Sequence, residues 1–172
     1  MKVTISEYSP AWPEMFERER KSLETVIGAC IIEHIGSTSV YGLAAKPIID
    51  IMIGLHDFSV ADKLVPEIVA LGYLYIPKYE KVMPYRRFFK KFTGGIATHQ
   101  IHMVQAGGEF WERQLLFRDY LRANPVVAAS YEVLKKELAK LEWEDVNDYA
   151  DAKTAFIRNI ENRAREDASK AR

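Results

Sequence analysis

The residue types best suited to chemistry lie in two neighbouring segments of the chain. A small polar segment, HIGSTS at residues 34–39, precedes an apolar stretch with a single acid, KPIID at residues 46–50. Glycine lets a backbone approach a ligand closely, and the hydroxyl and N–H groups that follow Gly36 could hold phosphate oxygens. A carboxylate on the next strand could hold Mg²⁺, which prefers oxygen ligands and substrate phosphates. The pattern therefore indicates a phosphate and metal site.

Each half of this pattern also has a structural interpretation. The segment 36–39 could be a polar turn that needs glycine only for its shape. Asp50 is harder to explain in this way, because a carboxylate within an apolar strand is costly unless it is paired or bound to a metal. Lys46, His102 or an arginine could pair with it, and Lys46 could instead neutralise a phosphate. Residue types alone leave both interpretations open.

His99 and His102 could suggest a metal pair, but their spacing argues against it. They lie in a segment that is typical of a strand, where successive side chains point to opposite faces. An odd spacing then separates the two rings, so a shared metal ion is not expected. His102 is the better candidate for a ligand or a general base, whereas His99 could equally be structural.

Two groups of arginines each have two interpretations. Residues 85–91, YRRFFKK, interleave basic and aromatic side chains, as do edge strands whose charges discourage aggregation. The same segment could form an electropositive wall for a phosphorylated substrate, with Arg86 or Arg87 as the contact. Arg118 and Arg122 lie one helical turn apart on one face. They fit either a salt-bridged helix surface or a role in a ligand cleft.

Length and composition restrict the class of protein. The chain of 172 residues fits one domain over residues 1–172, with a sheet-containing core at 1–105 and C-terminal helices at 109–165 packed on it. Basic and acidic residues number 24 each, which argues against a dedicated nucleic-acid binder. Cys30 is the single cysteine, and no apolar stretch suits a signal peptide or a membrane span. We therefore expect a cytoplasmic protein without a membrane partner.

The order of the predicted elements indicates strands and helices in the first part and helices alone in the last third. Ser9-Pro10 opens a helix that Gly28 ends, and Asp57 caps a helix that Gly72 ends. Hydrophobic alternation and turn residues predict the other elements. The strands are at 3–5, 29–33, 47–53, 73–76, 85–92 and 97–104, and the later helices at 109–123, 126–141 and 145–165.

Several long motifs resemble the signature of the GrpB family, and together they cover nearly the whole chain. They are HIGSTSVYGLAAKPIID at 34–50, YSPAW at 8–12, LGY at 71–73, THQIH at 98–102, FRDYLRANP at 117–125 and the tail at 149–160. The resemblance implies an α/β (α+β) class: a nucleotidyltransferase-like mixed β-sheet flanked by helices, with a helical C-terminal part. It also implies a relation to the domain fused to some dephospho-CoA kinases.

The resemblance leaves the activity open, because one expected acid is missing. Nucleotidyltransferases of this fold place Gly-Ser before a helix and two carboxylates two residues apart on a strand, with a third on a neighbouring strand. Gly36-Ser37 and Asp50 match, but Met52 stands at the second position, and methionine does not suit Mg²⁺. The strand around His102 offers no third acid. Glu80 or Asp119 could substitute only if the fold brought one of them close.

The leading hypothesis is a nucleotidyltransferase-like protein that binds a nucleoside triphosphate or related phosphate with Mg²⁺ or Mn²⁺. It could transfer a nucleotidyl group to a hydroxyl, with Asp50 as metal ligand and Asp50 and His102 as catalytic residues. The alternative is a non-catalytic module that binds a nucleotide or a coenzyme-A-type phosphate, or that acts through a partner surface. The predicted phosphate-binding residues are Gly36, Ser37, Thr38, Ser39, Lys46, Arg86, Arg118 and Arg122.

Overall fold

The computed structural model describes residues 2–28 and 30–171, and the side chain of residue 146 is outside that description. Over this part of the chain, five strands alternate with two helices and are followed by four more helices. In order, the elements are α1 (Ala11–Ile27), β1 (Ile31–Ile35), β2 (Ile49–Leu55), α2 (Ala61–Ala70), β3 (Leu74–Tyr75), β4 (Arg86–Thr93), β5 (Ile96–Gln105), α3 (Glu109–Ala123), α4 (Pro125–Ala139), α5 (Val146–Asp151) and α6 (Thr154–Lys170).

The strands form one mixed sheet in the order β1-β2-β5-β4-β3. β2 and β5 run parallel, whereas the β1–β2, β5–β4 and β4–β3 pairs are antiparallel. β2 is buried at every residue except Asp50, as expected for a strand that is covered on both faces. The predicted mixed sheet flanked by helices is therefore confirmed.

Alternation along β2 separates a core face from the face that carries Asp50. One face joins a large apolar cluster with α1 and α2, to which β2 contributes Ile49, Ile51 and Ile53. Met52 faces the other way and packs with Ile35, Val104 and Trp111 of α3. Because side chains on a strand alternate, Asp50 lies on the Met52 face, beneath the C-terminal helices.

The C-terminal helices pack on the sheet and on the segment between β1 and β2. An apolar cluster joins Val40 and Leu43 of that segment to residues of α3, α4 and α6, namely Phe117, Leu121, Ala128, Tyr131 and Ile160. Asn124 separates α3 from α4, because the residue before Pro125 disfavours the helical conformation. The packing forms a roof over the Asp50 face of the sheet.

Three element predictions need correction, whereas the turn expected at 36–39 is present and contains a 3₁₀ turn over Ser37–Ser39. Residues 3–5 form no strand, and the nearest pairing is a single bridge between Ser6 and Ala45. The strand expected at 29–33 begins at Ile31 and continues to Ile35, and residue 29 lies outside the described residues. The helix predicted at 145–165 is two helices, because a capping box at Asp145 starts α5 and the chain turns again before α6.

The structure also bears on membrane association. Among the described residues, no helix combines the length and the apolar character that crossing a bilayer requires.

Gly54 provides a test of how α3 sits on the sheet. A Cβ atom at this position would lie 2.5 Å from Cζ3 of Trp111, so Gly54→Ala should lower the free energy of unfolding by about 1–3 kcal/mol. Trp111→Phe removes the obstructing ring atoms. Urea unfolding of the double variant should therefore show a smaller loss than the sum of the two single losses. Strictly additive losses would contradict this packing.

Candidate functional site

The site begins with a close approach between Gly36 and Asp50. Ile35 pairs with Asp50 in the antiparallel register of β1 and β2, so the chain leaves β1 directly beside this carboxylate. Gly36 has φ +70°, and a Cβ atom there would lie 2.5 Å from Oδ2 of Asp50. Glycine is required both for this backbone conformation and for the space that the carboxylate occupies.

The hydroxyls of the turn divide into structural and cleft-facing groups. Thr38 is buried, and its Oγ1 donates to the Ile48 carbonyl at 3.3 Å and lies 3.0 Å from Nε2 of His34. Ser39 donates its hydroxyl to the Gly36 carbonyl at 2.6 Å. Ser37, by contrast, lines the same cavity as Asp50. Of the three hydroxyls predicted to bind phosphate, Ser37 is the one that lines this cavity, where its side chain forms a hydrogen bond with Tyr131.

A cleft lies between the Asp50 face of the sheet and the C-terminal helices. Its main part has a volume of about 280 Å³, and Arg113, Tyr131 and Lys153 line it opposite Ser37 and Asp50. A smaller part of about 170 Å³ shares Ser37, Asp50 and Lys153. The smaller part is completed by the remaining lining residues, Thr38, Lys46, Ile48, Gln100, Lys135, Tyr149 and Ala150.

Three lysines bring positive charge close to Asp50, the carboxylate on the sheet side of the cleft. Burial lowers the pKa of Lys153 to about 8, while the charge of Asp50 acts in the opposite direction. Burial and the charge of Lys153 lower the pKa of Lys135 to about 7, and its ammonium donates to the Ala44 carbonyl. Burial also lowers the pKa of Lys46. Positive charge that is only partly solvated and only partly balanced favours an anionic ligand.

His102 lies on the same face of the sheet as Asp50. Its Nε2 is 3.9 Å from Oδ1 of Asp50, and its Nδ1 is 3.2 Å from Nη1 of Arg86. Burial lowers the pKa of His102, Asp50 opposes this effect and the charge of Arg86 adds to it. The ring is therefore mostly neutral at pH 7. His99 lies on the opposite face, paired with Ile49 of the core, as alternation predicts.

Arg86 and Arg87 also point to opposite faces. Arg86 lies beside His102, with its guanidinium 4.8 Å from the ring centre of Phe88. Its Nε is buried and has no hydrogen-bond partner among the described residues. Arg87 donates from Nε to Asp62 at 2.6 Å on the α2 side. Arg86 is thus the arginine of this pair that lies on the cleft side of the sheet.

The structure gives the predicted phosphate ligands Arg118 and Arg122 other partners. Arg118 is buried and donates to Glu33 at 2.5 Å, to the His34 carbonyl at 3.0 Å and to Asp119 at 2.7 Å. Arg122 donates from Nε and Nη2 to the Ser39 carbonyl at 3.0 and 2.8 Å. The two arginines fasten α3 to β1 and to the turn. Their shared helical face meets the protein instead of the cleft.

The position expected for the second carboxylate is apolar. Met52 is fully buried among Ile35, Val104 and Trp111. Neither proposed substitute replaces it, because Glu80 accepts a hydrogen bond from the Tyr75 hydroxyl and Asp119 pairs with Arg118. The described residues contain no group of three or more histidine, cysteine or acidic side chains that could hold a metal ion. The donor set does not fit a two-metal centre.

Sequence reasoning did not identify Lys135 and Lys153 as residues of the site. Lys135 lies on α4, 91 residues from the Ala44 carbonyl that it contacts, and Lys153 immediately precedes α6. No local pattern distinguishes them from the other lysines of these helices. The available signal was the tail at residues 149–160, which belongs to the motifs shared with the GrpB family.

Solved structures define the class of fold. The Cid1 poly(U) polymerase bound to Mg 3′-dATP resembles this chain with a TM-score of 0.54 and 14% sequence identity, over 79% of this chain and 43% of that chain. At this identity the likeness concerns the fold alone. The fold is nucleotidyltransferase-like, as the sequence predicts.

A family model described as GrpB protein matches residues 2–163, and the chain belongs to this family. GrpB from Enterococcus faecalis has a solved structure with a TM-score of 0.84 and 39% identity, covering 96% of this chain and 99% of that one. The UPF0157 protein YqkA of Bacillus subtilis is 42% identical over 95% of this chain. This chain thus spans about half of the length of YqkA, since the match covers 48% of that protein. A dephospho-CoA kinase of Mycobacterium leprae is 30% identical over 90% of this chain and 44% of its own length. The predicted relation to dephospho-CoA kinases is confirmed.

The structural role of Arg118 can be separated from ligand binding. Arg118→Met removes three hydrogen bonds but leaves partly solvated carboxylates, so the free energy of unfolding should fall by about 1–3 kcal/mol. Arg20→Met is a matched control, since Arg20 pairs with Glu17 and Glu24 on the exposed surface of α1 and its loss should lower the stability much less than Arg118→Met. Unchanged stability of the Arg118 variant would contradict this assignment.

The lowered pKa of Lys135 predicts a pH-dependent stability. Its pKa in the folded chain, about 7, lies below the ordinary value of 10.5, so the unfolded chain binds more protons between these two values. The free energy of unfolding should therefore rise with pH across this window, by up to about 1.4 kcal/mol per pH unit for this group. Urea unfolding from about pH 6 to 9 should show a shallower rise for Lys135→Met than for the exposed control Lys140→Met. Equal slopes would rule out this burial effect.

Proposed function

We propose that the chain binds a nucleoside triphosphate or a related phosphate in the cleft between the sheet and the C-terminal helices. The observation that carries this proposal is that Ser37, Asp50 and Lys153 line one cavity, with Lys46 and Lys135 in its smaller part. A hydroxyl and several ammonium groups converging on one cavity are groups that bind phosphate.

The residues of the cleft have distinct roles in this proposal. Gly36 lets a ligand approach the backbone, and the Ser37 hydroxyl donates to a phosphate oxygen. Lys153 and Lys46 neutralise its charge from the opposite side. Arg86, which lies beside His102, is available to a longer ligand that extends along the sheet.

A second candidate function is transfer of a nucleotidyl group to a hydroxyl. The observation that favours it is a mostly neutral His102 close to Asp50. In such a reaction His102 accepts the proton of the attacking hydroxyl, the new P–O bond forms at the α-phosphate, and pyrophosphate leaves. Positioning would supply most of the rate enhancement. Mg²⁺ or Mn²⁺ at Asp50 stays a prediction.

Calorimetric titration with ATP, GTP and CTP, each with and without Mg²⁺ or Mn²⁺, tests the binding proposal. Wild-type protein should bind at least one of these ligands. Ser37→Ala should weaken binding about tenfold or more, because a hydrogen bond to a charged group is lost. Ser22→Ala on the exposed face of α1 is the control and should bind normally. Failure of every nucleotide to bind under all conditions would refute the proposal.

The same samples decide between the two functions. Incubation with a panel of hydroxyl acceptors should release pyrophosphate if the protein is a transferase, and His102→Gln should suppress the release without abolishing nucleotide binding. Binding without pyrophosphate release across the panel would leave a non-catalytic nucleotide-binding protein.

A further inference from the structure

We propose that Lys153 replaces a divalent cation in this cleft, so that phosphate ligands bind directly and without Mg²⁺ or Mn²⁺. This inference rests on the proposed function, since it concerns the same ligand in the same cavity. It differs from the metal-dependent hypothesis that the resemblance implies. Three features carry it: the set of acids, the set of cations and the position of Lys153 between them.

The acids of the cleft are too few and too well paired to hold a metal ion on a phosphate. Asp50 is the carboxylate on the sheet side, and the next position on the same face of β2 is the buried Met52. Glu161 also lines the cavity, but it is paired with Arg113 at 3.3 Å and with Arg158 at 3.1 Å. Its charge is therefore already balanced by two guanidinium groups.

The cations, by contrast, outnumber the acids. Lys46, Lys135 and Lys153 line the smaller part of the cleft together with Asp50. A divalent cation bound at Asp50 would face the ammonium groups of Lys46 and Lys153 and the partly protonated amine of Lys135 in a partly desolvated space, where like charges repel strongly. A phosphate in the same place would be attracted by them. The electrostatic balance thus favours an anion over a cation.

The position of Lys153 suits a bridging role. It lines both parts of the cleft, and its ammonium lies 4.3 Å from the ring centre of Tyr149, which orients the side chain. It reaches the cavity from the helical roof, opposite the Gly36–Ser37 turn. An ammonium there can offset the charge of Asp50 and donate to a phosphate oxygen at the same time, which is the electrostatic work of a bridging metal ion.

The test measures binding of ATP and of inorganic tripolyphosphate by calorimetry, in buffer with EDTA and in buffer with excess Mg²⁺. Wild-type protein should bind in EDTA at least as tightly as in Mg²⁺, because free Mg²⁺ neutralises the ligand. Lys153→Gln should weaken binding in EDTA by about tenfold or more, whereas Lys153→Arg, which keeps the charge, should retain most of it. Lys140→Gln, at the exposed end of α4, is the control and should bind like wild type.

Asp50→Asn tests whether the carboxylate of Asp50 strengthens or weakens the binding of phosphate. If Asp50 holds a metal ion, the variant loses affinity in Mg²⁺. If the lysines bind the phosphate directly, the variant binds as well or several-fold more tightly, because a repulsive carboxylate is gone. Thermal unfolding of each variant shows whether the fold is intact, and the Lys153→Gln and Lys153→Arg pair compares two changes at one site.

The outcomes separate this inference from the proposed function. Binding that requires Mg²⁺ would overturn the inference and leave the proposed function standing. Equal binding by wild type and Lys153→Gln in EDTA would overturn the inference in the same way. Absence of binding with and without Mg²⁺ would overturn both proposals. Binding in EDTA that depends on the charge at residue 153 would support both.

Discussion

The close contact between the Gly36 backbone and the Asp50 carboxylate is the constraint on which the site depends. It exists because Ile35 and Asp50 are opposite each other in the β1–β2 register. A side chain at residue 36 would occupy the space of the carboxylate and would strain the backbone as well. With no side chain there, Asp50 is open to the cleft and Ser37 follows directly beside it. The buried partners of Thr38 then hold the turn in place.

The charges around Asp50 distinguish this cleft from a two-metal centre on the same fold. Met52 stands where the resemblance predicts an acid, and its side chain packs into an apolar cluster that joins the sheet to α3. This position therefore offers no oxygen ligand for Mg²⁺ and contributes to the attachment of the helical roof. The roof in turn brings Lys135 and Lys153 over the carboxylate. Fold similarity to nucleotidyltransferases is compatible with different electrostatics, because the sheet positions residues without specifying their charge.

Residue positions that depend on a local period along the chain could be predicted from the sequence, whereas the partners of those residues could not. Alternation correctly placed His99 and His102 on opposite faces of their strand, because the period of a strand is a local property, whereas the register of β2 and β5 decided that His102 shares the face of Asp50. Helical spacing correctly placed Arg118 and Arg122 on one face, but it does not say what that face meets. The structure shows that it meets Glu33, Asp119 and the Ser39 carbonyl. The predicted strand at residues 3–5 was wrong, since a short apolar segment can be buried without forming a ladder.

The sequence by itself determined most of the strands, the two long helices that follow them and the pairing of a glycine-serine turn with an acid on the next strand, and the resemblance to a family added the mixed sheet. These follow from periodicity, turn residues and long family motifs, which act over short distances along the chain. Only the tertiary structure decided which cations join Asp50. Lys135 contacts a carbonyl 91 residues away, and such contacts depend on how helices pack on a sheet. The packing of helices on a sheet results from many apolar contacts between distant parts of the chain, so it cannot be read from the pattern of any one segment.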